Sequence, residues 1–312
     1  MRFSQYINKL LSNFDIAIAR RSMLNQLKVE LQQLRSALDM GDRLTASDLR
    51  SGLGKTRDDL LRHQIGLRWS IVDHCERMLS TLSVDPVCPL CGHTGSTDSF
   101  KKYESQCIFQ GGRLIRLQCP YCDLIFGAHK MLSLSEAELS QDYEWHYQVH
   151  VEGDSTEQEV RAFHALNPSK DGVYLNYGAG AWSRTIELLN NQGWNVYGYE
   201  PHASATGNGK KIIGSLDALT KMQFDGLFSN NVLEHIRYPV KEFALMRSLL
   251  KPGAVMAHAT PCFEYLYEYT RFHLFFYLGR SKEVLAHQTG FSIKEFIKDG
   301  EFMVCILEPA AQ

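Results

Sequence analysis

Apolar positions give this chain three textures. From Ile7 onward, Leu10, Phe14, Ala17, Leu24, Leu27, Leu31, Leu34 and Leu38 recur at spacings of three and four, broken only by Arg21. A stripe sustained over about four heptads predicts a coiled coil or a long helical hairpin rather than a surface helix. Gly41 is expected to end it. A second helix, roughly Asp58 to Leu82, carries Leu60, Leu61, Ile65, Leu67, Trp69 and Ile71 and is expected to fold back on the first.

The C-terminal half alternates short β-rich runs with helical ones. Val173–Tyr177 stops at Gly178-Ala179-Gly180, a helical run follows through Ile186, Leu188 and Leu189, and a second strand ends on Glu200. Phe224–Asn230 is a buried strand with a polar tip, Pro239 opens a helix through Leu250, and Lys251-Pro252-Gly253 turns into the strand Ala254–Thr260. Phe291–Ile297 and Phe302–Leu307 flank Asp299-Gly300 as a hairpin. The pattern is α/β, and strand, glycine turn, helix, strand, acid is a nucleoside-binding half of a doubly wound fold. Glycine lets backbone approach a ligand closely, and a carboxylate at the second strand's tip accepts from ribose hydroxyls. The third glycine of a dinucleotide site is missing, since Ser183 stands there, and no P-loop lysine follows.

These residues resemble class I S-adenosylmethionine-dependent methyltransferases, whose members read strand, Gly-x-Gly, acid, then Val-Leu-Glu-His (Val232 to His235 here) and Leu-Lys-Pro-Gly (Leu250 to Gly253). The resemblance covers about the last 140 residues and implies a Rossmann-like seven-stranded sheet with an antiparallel last strand. It implies cofactor contacts at Tyr177, Gly178, Ala179, Gly180, Glu200, Pro201, His202, Leu216, Asp217, Asn230 and Asn231. Leu216 and Asp217 follow a short strand, Lys211–Gly214. His235 is the candidate general base because its unperturbed pKa lies near neutrality, with Glu234 to orient it; the alternative is that the pair caps the strand. Tyr147, His146 and His273 are weaker acceptor-site candidates. The family's glycine motif usually begins with an acid and ends on a third glycine; here those positions hold Asn176 and Trp182, which removes a charge that balances the cofactor's cation and adds bulk.

Cys88-Pro-Leu-Cys91 and Cys119-Pro-Tyr-Cys122 are paired knuckles with zinc-ribbon spacing, and four thiolates close a structural tetrahedron. Disulfides are the alternative, disfavoured in a reducing compartment. Cys75, Cys262 and Cys305 sit in apolar surroundings as packed thiols. Between the knuckles, Tyr103–Phe109 and Arg113–Leu117 form a hairpin at Gly111-Gly112, and Ser135 to Glu138 opens a helical linker. This order resembles the zinc-binding module of bacterial sugar methyltransferases found in surface-polysaccharide gene clusters, which implies a carbohydrate-type acceptor. Four segments are therefore expected: a helical arm over 1–85, a zinc ribbon over 86–132, a linker over 133–170 and the methyltransferase domain over 171–312.

Charge refines the picture. The net charge is −2, but residues 131–312 carry 15 basic and 22 acidic side chains, a poor match for a polyanionic substrate. A small-molecule or glycan acceptor is therefore expected rather than nucleic acid. An rRNA base methyltransferase with an N-terminal zinc module, and a degenerate scaffold that keeps the fold, are the rivals. No apolar run approaches the roughly 20 residues of a membrane span. Asp15 and Arg20-Arg21 do not suit a secretory signal, so a cytoplasmic setting is expected. The helical arm is expected to self-associate into a homo-oligomer, or to dock a glycosyltransferase or an anionic membrane surface.

Overall fold

The structure is a computed structural model that describes residues 21–39, 43–79, 85–151, 153–180, 184–201 and 211–310. The stripe before residue 21, Gly41, Leu82, Trp182, Ser183 and His202 lie outside the described residues. The chain divides into two units, one of 1–83, 106–114 and 133–151, the other of 84–105, 115–132 and 152–312.

In the first unit, α1 (Arg21–Asp39) packs on α2 (Arg43–Leu79). The Thr56 hydroxyl donates to the Glu30 carboxylate at 3.1 Å. Helix α2 starts well before Asp58, the expected point. Gly52 and Gly54 argue against helix locally, at about 1 kcal/mol each relative to alanine. The packing against α1 offsets that cost, a tertiary contribution that local propensity does not contain. The third helix, α3 (Glu136–Val149), opens on a capping box in which Ser135 and Glu138 satisfy each other's backbone N–H groups. It joins α2 through Trp69, fully buried, whose indole N–H donates to the buried Asp142 carboxylate at 3.2 Å. Along α1, Val29 and Leu31 are exposed.

The second unit carries two sheets. The smaller has the order β1 (Lys101–Gln106), β2 (Arg113–Gln118), β3 (Ile125–Gly127), then β9 (Phe275–Phe276) from far along the chain. The larger combines β4 (Val173–Tyr177), β5 (Asn195–Tyr199), β6 (Ile212–Ile213), β7 (Phe224–Asn230), β8 (Leu250–Ala259), β10 (Phe291–Asp299) and β11 (Phe302–Pro309) in the order β10-β11-β8-β7-β4-β5-β6. Strands β8 to β6 run parallel, and β11 is antiparallel to both its neighbours. This is the Rossmann-like methyltransferase arrangement, with the last strand inserted before the edge strand.

Two local expectations shift. Lys251 to Gly253 does not precede the strand but bulges within it: Phe224 pairs with Leu250 and Gly226 with Val255, and Gly253 takes the extra turn at φ 79°. In the last hairpin Asp299 pairs with Phe302, so the turn residues are Gly300 and Glu301. A two-residue turn needs positive φ at its first position, and Gly300 has φ 61°.

Helix α4 (Thr156–Ala165) covers one face of the large sheet. Its Phe163 is fully buried, with ring centroids 5.3 Å from Tyr174, 5.5 Å from Phe228 and 5.0 Å from Trp194. Burying one such ring contributes about 2–3 kcal/mol. That packing holds α4 on the sheet through the bodies of β4 and β7, whose tips carry the site. No helix among the described residues is long and apolar enough to cross a membrane.

Candidate active site

Two strand tips and a glycine turn build the site. Gly178 and Gly180 take φ of 73° and 62°, and the N–H groups of Gly178 and Ala179 both donate to the Tyr199 carbonyl, at 2.9 and 3.0 Å. The turn is thereby tied across the tip of β5. A Cβ on Gly178 would lie 2.7 Å from Val232 Cγ2, whereas one on Gly180 would meet nothing within 4 Å among the described residues. The first glycine permits contact between the β4 turn and the segment just past β7; the second has no neighbour in that direction among the described residues.

Glu200 follows β5, and its carboxylate accepts from the Gly180 N–H at 3.1 Å. Pro201 is exposed beside it. Leu216 and Asp217, both exposed, start a short helix capped by Ser215. The amide nitrogen of Asn230 is buried without a partner, and Asn231 follows at φ 53° with its N–H on the Ala259 carbonyl. Tyr177 turns its side chain the other way, its hydroxyl donating to Glu242 on the helix Pro239–Ser248. Open space above Gly180, a ribose-type carboxylate and an orphaned amide donor fit the adenosyl amino acid that the resemblance implies.

Sequence reasoning missed Glu159. This α4 carboxylate is 4% exposed and accepts from the Asn176 amide nitrogen at 2.6 Å and the Ser155 hydroxyl at 2.5 Å. A carboxyl group therefore sits against the position where the glycine motif lacks its acid. No local signal carries it, because the partners are 17 residues apart and meet only when α4 docks.

A second cluster lies just past β7. Glu234 is fully buried; the Thr260 hydroxyl donates to its Oε1 at 2.8 Å and its Oε2 has no partner. Glu234, His235 and His273 bring their functional atoms within 4.8 Å of one another. The two imidazoles meet edge to face, with centroids 5.0 Å apart. Burial pushes Glu234 up to about 7 and His235 down to about 4, the latter opposed by a hydrogen bond to the Phe272 backbone. His273 is pushed well down by burial and by His235 and Arg116. Arg116, fully buried on β2, donates to the carbonyls of Glu268 and Thr270 at 2.8 Å each and of His273 at 3.1 Å. The other candidates belong to the helical unit: His146 is buried against Phe109, and Tyr147 is exposed.

His258, on β8, is also fully buried; Nδ1 lies 2.8 Å from the Ser229 hydroxyl and Nε2 has no partner. Burial pushes it down to about 3. Its folded pKa lies below the unfolded value of about 6.5. Its stabilising effect is thus fully present above pH 6.5 and is lost as pH falls toward 3. Glu234 acts oppositely, contributing fully below its unfolded pKa and losing that contribution as pH rises through about 7. Chemical denaturation of wild type and His258→Gln isolates the histidine: the stability difference between them should shift against the wild type by about 2 kcal/mol from pH 7 to pH 5.

The four knuckle cysteines converge. Zinc–sulfur bonds of about 2.3 Å set tetrahedral edges of about 3.8 Å. Cys88 and Cys122 sulfurs are 3.6 Å apart, as are Cys91 and Cys119, and all four lie within 4.8 Å of one another. All eight cysteines are free thiols. The knuckles share one geometry: Gly92 N–H bonds the Cys88 carbonyl and Asp123 N–H the Cys119 carbonyl, at φ 73° and 66°. Asp123 accepts from Arg280 Nε at 3.0 Å, and that guanidinium holds its carboxyl below the usual range. The mutual hydrogen bond lowers Cys88 to about 5 and raises Cys122, and burial raises Cys91 to about 11. Such a cluster fits a dication that takes all four as thiolates. Cys262 and Cys305 are packed thiols, the latter pushed by burial up to about 12.

Residues 154–298 match the family model described as a methyltransferase domain. This segment is a methyltransferase domain. Its sheet order is that of the class I, S-adenosylmethionine-dependent type, and the segment supports methyltransferase activity of that type. Among solved structures the chain is similar to a Burkholderia thailandensis 1,6-didemethyltoxoflavin-N1-methyltransferase with bound 1,6-didemethyltoxoflavin and S-adenosylhomocysteine. Identity is 14% over 64% of this chain and 96% of that one, with a TM-score of 0.44. It is also similar to a methyltransferase from Archaeoglobus fulgidus, at 13% identity over 50% of this chain and 95% of that one, TM-score 0.40. No curated protein matches the chain.

Proposed function

We propose that the enzyme methylates a small, carbohydrate-type acceptor. The observation that carries this reading is the cluster of Glu234, His235 and His273 just past the β7 tip, with exposed aromatic rings at Tyr267 and Tyr269 on the segment that leads into His273. Flat rings stack on sugar faces, and an acidic domain suits a neutral acceptor better than a polyanion. S-adenosylmethionine supplies an electrophilic methyl group on a sulfonium. The chain's residues then have three tasks. Gly178, Gly180, Glu200 and Asn230 hold the donor, with Pro201, His202, Leu216, Asp217 and Asn231 around it. His235, half-buried, takes the acceptor's proton, and Glu234 behind it steadies the imidazolium that forms. Positioning of the two reactants supplies the rest of the rate.

Cys88, Cys91, Cys119 and Cys122 hold a structural zinc ion in this reading. The α1 stripe supports self-association, and a glycosyltransferase or membrane surface is the other partner for that arm. The setting is cytoplasmic.

The test is a panel of nucleotide sugars and glycosides assayed for S-adenosylhomocysteine formation. Turnover should require the acceptor, and His235→Gln should lower kcat about 100-fold while leaving S-adenosylhomocysteine affinity unchanged. Absence of turnover on every sugar, with turnover on another acceptor class, would overturn the carbohydrate reading.

A further inference from the structure

We infer that Glu159 and Asn176 together seat the ammonium group of the cofactor's amino-acid end, Glu159 supplying from α4 the charge that the glycine motif lacks. The inference rests on the methyltransferase reading and names the recognition chemistry of that same site.

Three observations carry it. First, a carboxylate has no donor when ionised, so the 2.6 Å contact fixes the Asn176 amide with its nitrogen toward Glu159. The Asn176 carbonyl oxygen is then turned away from Glu159, and it is buried with no partner. An orphaned acceptor at the penultimate residue of β4, beside the glycine turn, calls for a donor. Second, the Ser155 hydroxyl also donates to Glu159, which holds the carboxyl group in place against Asn176. A buried carboxylate beside an orphaned acceptor favours a cationic donor over a neutral one. Third, the opposite requirement stands on the neighbouring strand. β7 pairs with β4, and the Asn230 amide nitrogen at its tip is an orphaned donor. An acceptor for cations on one strand and a donor for anions on the next match the two ends of an α-amino acid.

The arrangement also explains why Asn176 does not mark a degenerate site. The charge has moved from the strand to the helix packed against it, and the amide relays it as a hydrogen-bond acceptor.

The test compares two ligands that share the nucleoside and the thioether. S-adenosylhomocysteine carries the amino acid; 5′-methylthioadenosine does not. Titration of the full chain should show that Glu159→Gln loses about 10- to 100-fold in affinity for S-adenosylhomocysteine and stays within about 2-fold for 5′-methylthioadenosine. The double variant Glu159→Gln/Asn176→Asp, which returns the charge to the strand, should recover most of the loss. Equal loss for both ligands would assign Glu159 to packing alone, and no loss for either would remove it from the site; either result overturns the inference. A wild type that binds neither ligand would instead sink the methyltransferase reading itself, a separate failure.

Discussion

Gly180→Ala loses S-adenosylhomocysteine binding without losing the fold. A Cβ there meets no atom of the described residues within 4 Å, so the folded state is expected to bear mainly the strain of φ 62° on a non-glycine residue, about 1–2 kcal/mol. If the open space is where the ligand backbone passes, affinity falls by about 100-fold while the thermal midpoint drops only a few degrees. Gly178→Ala separates the two effects. Its Cβ would press on Val232 Cγ2 at 2.7 Å, so it must displace the β7 tip that carries Asn230, and stability should fall together with affinity. Calorimetric titration paired with thermal denaturation reads both quantities. Equal affinity in Gly180→Ala and wild type would show that no ligand occupies that space.

On the proposal that the knuckles hold zinc, its removal is the second large effect expected. Cys119→Ser, or prolonged chelation of the wild type, leaves the remaining knuckle thiols close together with no metal to hold the two loops that carry them. Structural zinc contributes about 10 kcal/mol or more in small modules, so a loss of about 5 kcal/mol or more is expected in urea denaturation. The consequence extends beyond the knuckles. Strand β2 carries Arg116, whose guanidinium holds the carbonyls of Glu268, Thr270 and His273. Loosening β2 releases the segment that places His273 beside His235. Turnover should fall with metal content, as measured by elemental analysis, while S-adenosylhomocysteine affinity changes less. Full stability and turnover in zinc-free protein would exclude the structural role.

The parts that were legible in the sequence are those written locally. Strand-length runs, Gly178-Ala179-Gly180, Glu200 and the paired Cys-x-x-Cys knuckles each carry their geometry within a few residues. So does the C-terminal hairpin, down to a one-residue shift in its turn. The start of α2 at Arg43 rather than near Asp58 is not written locally, because Gly52 and Gly54 disfavour helix and the contact with α1 decides. Glu159, Arg116 and the edge-to-face pair of His235 and His273 depend on contacts over 17, 157 and 38 residues of sequence. No period or spacing encodes them. The acid missing at Asn176 reads as a deficit in the strand, and only docking of α4 reveals the replacement.

The most direct test of the account is calorimetric titration of the full-length, zinc-loaded chain with S-adenosylhomocysteine, repeated on Glu200→Ala. The account expects one site per chain in the micromolar range, lost when the carboxylate that meets Gly180 is removed. No detectable binding by folded wild-type protein would contradict it.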